Sequence, residues 1–288
     1  LKGRGYGRAY GAVSIINAIS TGRGAALGVS LSTEVEVELD VVNGVVLDAG
    51  EPGMDSSLVT EVVRRFAEEL DASFRGCRVR TRSSIPVAVG LKSSSSVAVA
   101  TALALLDALE NEMEDDRILA LVAEASKSSG TSITGALDDA AACMLGGIVV
   151  TDNIEGKILR RDRPPHLMTV IGIPDMRTYT RDFRRELLNP IRELMDEVFK
   201  LALRGEYWKA MILNGILHAS ALSLPVEPII GVLRAGAIAA GVSGTGPAIA
   251  AVTEQSRMDY VGEVFHSAGY RVIRCPVNTL HAVKGGVR

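Results

Sequence analysis

The stretch from Pro86 to Leu106, PVAVGLKSSSSVAVATALALL, constrains the fold more than any other part of the chain. An extended segment reaches Gly90, four consecutive hydroxyl residues follow at Ser93 to Ser96, and the helix they open carries small or apolar side chains on almost every side. Such a helix has no face to give to water, so other elements must cover it, and the chain needs a layered architecture with this helix inside. With 288 residues it can build that core, as one large domain or two modest ones.

The flanking patterns supply the layers. Ser32 to Val42 alternates Val35, Val37, Leu39 and Val41 with Glu34, Glu36, Glu38 and Asp40, the period of a strand with one wet face. Asn43-Gly44 predicts a two-residue turn closing a hairpin into VVLDAG. Ser56 to Phe74 reads as an amphipathic helix and CRVRTRSSI as a strand; Asp115 to Ser126 is a further helix, and a Gly/Ser/Thr loop at Ser128 to Thr134 precedes a third ending at Gly146-Gly147. Ile148 to Val150 and Lys157 to Arg160 predict a hairpin, and Leu167 to Ile173 a strand. The second half predicts a helix from about Phe183 to Leu203, begun or bent by Pro190, and helices at Tyr207 to Ala221 and Glu227 to Gly241. Strands at Pro247 to Glu254 and Tyr270 to Val277 then flank a helix at Met258 to Ser267. The reading is α+β with antiparallel sheets, in domains 1–160 and 161–288 that meet at the charged turn near residues 155–165.

Several function classes are disfavoured. Lys+Arg 31 against Asp+Glu 34 gives a net charge of −3, and aromatics make up 4%, which together argue against a nucleic-acid-coating surface. Ala235 to Val252 is uncharged throughout, but Gly236, Gly241, Gly244, Gly246 and Pro247 break it, so it reads as helix, turn and buried strand and not as a membrane span. The apolar run near the N-terminus is interrupted by Ser14, Asn17 and Ser20, which speaks against a secretory signal. Cys77, Cys143 and Cys275 are too few and scattered for a disulfide framework and fit a reducing cytoplasm. The four histidines lack metal-ligand spacing.

Three segments carry chemistry. At Gly90 to Ser96 the free N–H groups of a helix start make an anion site, and Lys92 adds positive charge; this is not a Walker A loop, because Pro86 and Leu91 stand where its glycines belong. An ordinary serine N-cap is the plain alternative. At Gly241 to Pro247, Gly244 and Gly246 let backbone approach a ligand and Ser243 or Thr245 offers a hydroxyl, with a tight core turn as the alternative. In GALDDAAACMLGG, Asp138 and Asp139 lie in an apolar run, where a charge is costly unless capped, paired or used. As neighbours on a helix they point in different directions, so one caps or fixes a basic partner while the other serves as a cleft carboxylate, or both cap. Glu124, beside the Ser-rich loop, reads either as a Mg²⁺ oxygen ligand or as part of a solvated face.

Taken together these loops resemble the GHMP small-molecule kinases over essentially the whole chain. Pro86-Val-Ala-Val-Gly90-Leu91-Lys92-Ser93-Ser94-Ser95 is similar to the family's phosphate loop, and Val242-Ser-Gly244-Thr245-Gly246-Pro247 to its C-terminal glycine motif. Arg8 to Val13 resembles the first family motif, and Asn17 to Ala26 is the segment nearest to the archaeal branch that acts on shikimate. The resemblance implies an N-terminal ribosomal-protein-S5-like domain, a C-terminal ferredoxin-like domain, and ATP-dependent phosphorylation of the shikimate 3-hydroxyl on the way to chorismate. It implies that Pro86, Gly90, Leu91, Lys92, Ser93 to Ser96, Gly244 and Gly246 hold ATP, and that Ser94 with Glu124 coordinates Mg²⁺. Spacing to Gly146-Gly147 matches Asp139 to the family's catalytic aspartate, with Asp138 the second candidate. Thr21, Gly22, Arg23, Gly24, Ser243 and Thr245 fall on the substrate side, Arg23 as first candidate for a carboxylate clamp and Arg177 as the weaker one.

One departure matters. Many relatives carry lysine where this chain has Ala12, so that lysine's role does not transfer, and Arg8, Lys92 and Arg23 are the nearby candidates for any cation the acceptor hydroxyl needs. The competing readings are a GHMP kinase for homoserine, mevalonate or another small alcohol, and a non-enzymatic RNA-binding protein using Arg78, Arg80 and Arg82 on one strand face.

Overall fold

The computed structural model describes residues 3–49, 56–176 and 183–286. Two antiparallel-rich sheets carry the chain. The larger is built on β1 (Arg4–Ile16) and the long β2 (Arg23–Leu39), with β3 (Gly44–Ala49), β4 (Gly76–Ser83), β5 (Ile148–Asp152), β6 (Lys157–Asp162) and the C-terminal β11 (Val283–Lys284). One edge of β2 pairs with β1; the other pairs with β4 along Thr33–Leu39 and with β5 along Arg23–Leu27. The smaller sheet has the order β10-β7-β9-β8, from β7 (Met168–Ile173), β8 (Ala239–Val242), β9 (Ile249–Thr253) and β10 (Arg271–Pro276). With helices between β7 and β8 and between β9 and β10, this is the βαββαβ arrangement expected for a ferredoxin-like half.

The serine-led helix is interior, as its composition requires. It is α2 (Ser93–Ala108), laid on β1 and β2 and covered by α1 (Ser56–Glu69), α3 (Asp115–Ser128) and α4 (Leu137–Leu145). Its close approach depends on missing side chains in β1: a Cβ at Gly5 would lie 2.0 Å from the Ala104 carbonyl oxygen, and one at Gly7 2.2 Å from that of Ala100. Alanine on the helix and glycine on the strand thus remove the usual spacer, and backbone packs on backbone.

The alternation in β2 sorts its faces. Val35, Val37 and Leu39 join the helix-covered core, while Glu34, Glu36 and Glu38 stand opposite Arg82, Arg80 and Arg78 of β4. Arg4 and Arg8 of β1 sit across from Glu38 and Glu34 on the other side. The arginine stripe considered for RNA is therefore the complement of a glutamate stripe, and cross-strand charge pairing selects the neighbour. This explains the one topological correction: β3 forms no hairpin with β2. It runs parallel to β4, which slots between them, and α1 makes the crossover that a parallel pair needs.

Further boundaries differ from expectation. The segment before Pro190 is a 3-10 turn (Arg185–Ile191), and the regular helix α5 (Arg192–Leu203) starts after the proline. After α6 (Tyr207–Ala221), α7 (Glu227–Arg234) stops well short of Gly241, because Ala239–Val242 is fully buried as β8 and pairs with β9. The stretch Ala235 to Val252 is accordingly strand, turn, strand. The final helix is α8 (Met258–Ser267). Among the described residues no helix is long and apolar enough to cross a membrane.

The core is continuous between the sheets. Val13, Ile15 and Leu27 from the far ends of β1 and β2 pack with Ile85, Val89 and Leu91 and with Ile171, Met195, Phe199 and Ala250 of the second half. The chain's last strand returns to pair with β1. Both glycine-rich loops project from this seam.

Candidate active site

The seam opens into a cavity of about 400 Å³. Its walls are the Pro86–Ser95 loop with the start of α2, Asn17 to Ile19 at the end of β1, the loop from Ser129 to Ala136 with the start of α4, and Gly244-Thr245.

Two helices aim their N-termini into it, and neither is capped by a side chain. Lys92 holds the N-cap of α2 and Ala136 that of α4, in left-handed conformations with φ 63° and 48°. The first turn-closing bond of α2 runs from the Ser96 N–H to the Lys92 carbonyl at 2.9 Å, and the amides of Ser93, Ser94 and Ser95 find no protein acceptor among the described residues. The serines are thus the first residues inside the helix and not its cap, and the unused amides with the helix dipole form an anion cradle. Asp138 and Asp139 likewise sit in the first turn of α4 and not at its N-cap; the Asp138 carboxyl accepts its own backbone N–H while Asp139 Oδ1 accepts no hydrogen bond among the described residues, so the two do not both cap.

The left-handed backbone at Lys92 turns its side chain back under the loop. Its Nζ lies 2.8 Å from Asp139 Oδ1 and donates to Ser14 Oγ, also at 2.8 Å. The Lys92 and Asp139 side chains are only 6% and 17% exposed. Lys92 is the cationic side chain lining the cavity among the described residues. It touches β1 at Ser14, two residues beyond Ala12.

Ser14 and Ser243 stitch three segments together. The Gly244 N–H donates to Ser14 Oγ at 3.0 Å, the Ser14 N–H donates to Ser243 Oγ at 3.0 Å, and Ser243 Oγ donates to the Gly90 carbonyl at 2.7 Å. A Cβ on Gly90 would lie 2.0 Å from the Ser243 carbonyl oxygen. The two glycine loops, far apart in sequence, therefore close on each other over β1.

Asp138 is 1% exposed yet lines the same cavity, beside Asp139. Asn153 Nδ2 donates to its Oδ1 at 2.8 Å. Burial above all, and then the Asp139 charge, push its carboxyl up to about 7, against the pull of Lys92, the Asn153 amide and its own backbone N–H. Beneath the pair, burial raises the Cys143 thiol well above its ordinary value, so it is an inert core group.

The expected site residues divide. Pro86, Gly90, Leu91, Lys92, Ser93, Ser94, Ser95, Asp138, Asp139, Gly244 and Thr245 line the cavity. Ser96 is fully buried behind it, and Ser243 works as the stitch described above. Thr21 closes a local turn, its hydroxyl accepting from the Arg23 N–H at 3.2 Å. Arg23 is not brought to the cavity: its guanidinium meets Asp152 at 3.3 Å and Asp196 at 3.5 Å and lies over the Phe199 ring. Gly24 backs Asp138. Glu124 pairs with Arg65 of α1, 2.6 Å away, and is not among the residues lining the cavity. Arg177 lies outside the described residues. Asn17, the hydroxyl-rich wall at Ser126 and Ser129 to Thr134, and Asn153 were not assigned a site role from sequence. Ser14 and Asn17 had a signal, buried polar residues within and just after an apolar strand.

Comparisons with known proteins fit this geometry. A family model described as the GHMP kinases N terminal domain matches residues 57–147. The chain is 44% identical over 282 residues to a shikimate kinase of Methanothrix thermoacetophila, spanning 98% of this chain and 96% of that one. To a shikimate kinase of Thermococcus kodakarensis it is 39% identical over 249 residues, 86% of this chain and 91% of that one. Among solved structures, homoserine kinase from Cytophaga hutchinsonii superposes with a TM-score of 0.75 at 20% identity, covering 99% of this chain and 98% of that one. Methanococcus jannaschii mevalonate kinase superposes with a TM-score of 0.75 at 16% identity, covering 95% and 98%. The two superpositions speak to the fold alone.

Proposed function

The chain belongs to the GHMP kinases, in the group that holds the archaeal shikimate kinases, and from that premise we propose that it transfers the γ-phosphoryl group of ATP to the 3-hydroxyl of shikimate. The observation that carries the reading is the 2.8 Å Lys92–Asp139 pair set beside an uncapped helix start with unused amides. An anion cradle alone binds phosphate; a carboxylate next to it, paired to a lysine and facing one cavity, gives the acceptor alcohol a place to be held.

In this reading the Ser93–Ser95 amides and the Gly90 loop hold the phosphates, and Gly244 and Thr245 close over them. Asp139 orients the 3-hydroxyl and accepts its proton as the oxygen bonds to phosphorus and the bond to the ADP oxygen breaks. In a loose transition state that proton transfer comes late, so Asp139 contributes mainly by orientation. Lys92 balances the Asp139 charge and faces the transferring oxygens. Arg177 remains the guanidinium proposed for the substrate carboxylate, since Arg23 already has two carboxylate partners.

Mg²⁺ fits as an ion carried by the nucleotide. No group of three or more His, Cys, Asp or Glu that could hold a metal occurs among the described residues, and Mg²⁺ commonly uses one or two protein oxygens besides phosphate and water. The exposed Ser94 hydroxyl at the cavity wall is the oxygen we assign to it. When bound, Mg²⁺ supplies charge neutralisation on the phosphates. We also assign the enzyme to the cytoplasm, on the strength of three free, buried cysteines.

The test is phosphotransfer by purified protein with Mg-ATP and a panel of shikimate, homoserine and mevalonate, with the phosphorylated oxygen located by phosphorus NMR. Substrate-dependent formation of shikimate 3-phosphate is expected. Transfer to homoserine or mevalonate in preference to shikimate would overturn the assignment.

A further inference from the structure

Asp138 has no part in the transfer set out above, yet it is built into the same cavity. Its side chain is held by Asn153 and by its own backbone N–H. Oδ1 accepts from Asn153 Nδ2, and Asn153 is itself fixed, its Oδ1 accepting from Thr151 Oγ1 at 2.6 Å and its Nδ2 reaching Thr134 Oγ1 at 3.2 Å. Oδ2 lies over the Gly24 Cα, so near that a Cβ there would stand 2.3 Å from it. Among the described residues no side-chain donor comes within hydrogen-bonding distance of Oδ2. A carboxyl oxygen can accept more than one hydrogen bond, so the group keeps capacity for a ligand donor on any side it leaves open. Asn153 and Gly24 close two sides of the group, and the cavity lies on the open one.

Consecutive helical residues point about 100° apart, so one flat pocket wall would see only one of two neighbouring aspartates. Here the cavity wraps the first turn of α4, and both Asp138 and Asp139 line it. Resting on the shikimate reading, we infer that the pair reads a vicinal diol. Asp139 takes the hydroxyl that attacks phosphorus, and Asp138 Oδ2 takes the hydroxyl on the next ring carbon, which in shikimate is the 4-hydroxyl. A hydroxyl both donates and accepts, so the contact forms with either protonation state of the carboxyl. This makes Asp138 a specificity residue: an acceptor with a single hydroxyl displaces water from the carboxyl without replacing its hydrogen bond, and that cost falls on the wrong substrate.

The experiment compares kcat/KM for shikimate and 4-deoxyshikimate in the wild-type enzyme, Asp138→Asn and Asp138→Ala, with KM for ATP and the melting temperature followed in each. Sites that hydrogen-bond a substrate hydroxyl reject the deoxy analogue strongly, so the wild type should favour shikimate by about 100-fold or more. Asp138→Ala should bring that ratio below about 10-fold, mainly by slowing shikimate, with KM for ATP within about 3-fold, as expected when one hydrogen-bonding partner of the acceptor alone is lost. Wild-type enzyme that uses both compounds equally well overturns the inference and leaves the shikimate reading standing, whether or not the variants fold. A folded Asp138 variant that keeps the full ratio overturns it too. Wild-type protein that phosphorylates neither compound overturns the shikimate reading itself, and this inference with it.

Discussion

Lys92 Nζ stands 2.8 Å from Asp139 Oδ1, with both side chains largely withdrawn from water. A pair of this kind is asymmetric in its energetics: together the charges compensate, but removing one strands the other. Lys92→Met should therefore cost about 3–5 kcal/mol of stability as well as activity. Asp139→Asn keeps the shape and should lower kcat by about 100-fold or more while leaving KM for ATP within a few-fold. The double variant should be more stable than the sum of the single losses predicts, by about 1–3 kcal/mol. Urea unfolding of the four proteins checks this, and additive losses would show that the pair is not energetically coupled.

The contact between the two glycine loops makes a second expectation. Gly90 and Gly130 both have left-handed φ, 91° and 73°, so alanine at either strains the backbone by about 1–2 kcal/mol. Only at Gly90 does a Cβ also meet backbone, the Ser243 carbonyl at 2.0 Å; at Gly130 nothing lies within 4 Å. Gly90→Ala should thus cost about 1–3 kcal/mol more than Gly130→Ala and weaken ATP binding, because the loops must part. Denaturant midpoints and nucleotide titration measure both. Equal losses would mean that the loops are not held against each other in solution.

Ser243 tests the stitch from the side-chain end. Its hydroxyl donates to the Gly90 carbonyl and accepts from the Ser14 N–H, and the residue is fully buried. Ser243→Ala leaves both groups without that partner, at about 1–3 kcal/mol for each buried orphan. The melting temperature should fall by several degrees, and KM for ATP should rise more than KM for shikimate. Unchanged ATP dependence would assign the serine to folding alone.

Local patterns announced most of the fold, and distant partners decided the rest. The Val/Glu alternation of β2 and the all-round apolar α2 were legible because each depends on a period within one segment. The hairpin expected at Asn43-Gly44 failed because the arginines of β4, more than thirty residues on, pair with the β2 glutamates. The same holds at the site. The cluster of loop glycines and serines pointed to the phosphate cradle, but Arg23 finds Asp152 and Asp196, and Glu124 finds Arg65, through packing that local sequence does not encode. Conversely, Ser14 and Asn17 were visible as polar interruptions in an apolar run, and their meaning emerged only once the Ser14 hydroxyl was seen to bond Lys92 and Gly244 and the Asn17 amide to donate to the Val242 carbonyl.

The raised Asp138 carboxyl carries a pH signature whose sign is fixed. In the folded chain it titrates at about 7, against an ordinary 3.8, because burial and Asp139 disfavour its charge more than Lys92 and Asn153 favour it. Below both values the folded and unfolded chains hold the proton alike, and the group contributes no pH dependence. Between them the unfolded chain releases the proton while the folded chain keeps it, so stability falls as pH rises through that window, by up to about 1.4 kcal/mol per unit. Above about 7 both states are ionised and the loss levels off. Asp138→Asn retains an acceptor for Asn153 but cannot titrate. The stability of wild type minus that of Asp138→Asn should therefore decline from about pH 4 to about pH 7 and then stay flat. Urea unfolding of the two proteins across that range measures the difference. Parallel profiles would place the Asp138 proton in the ordinary carboxylate range, and with it a more hydrated cavity floor than the burial of this side chain implies.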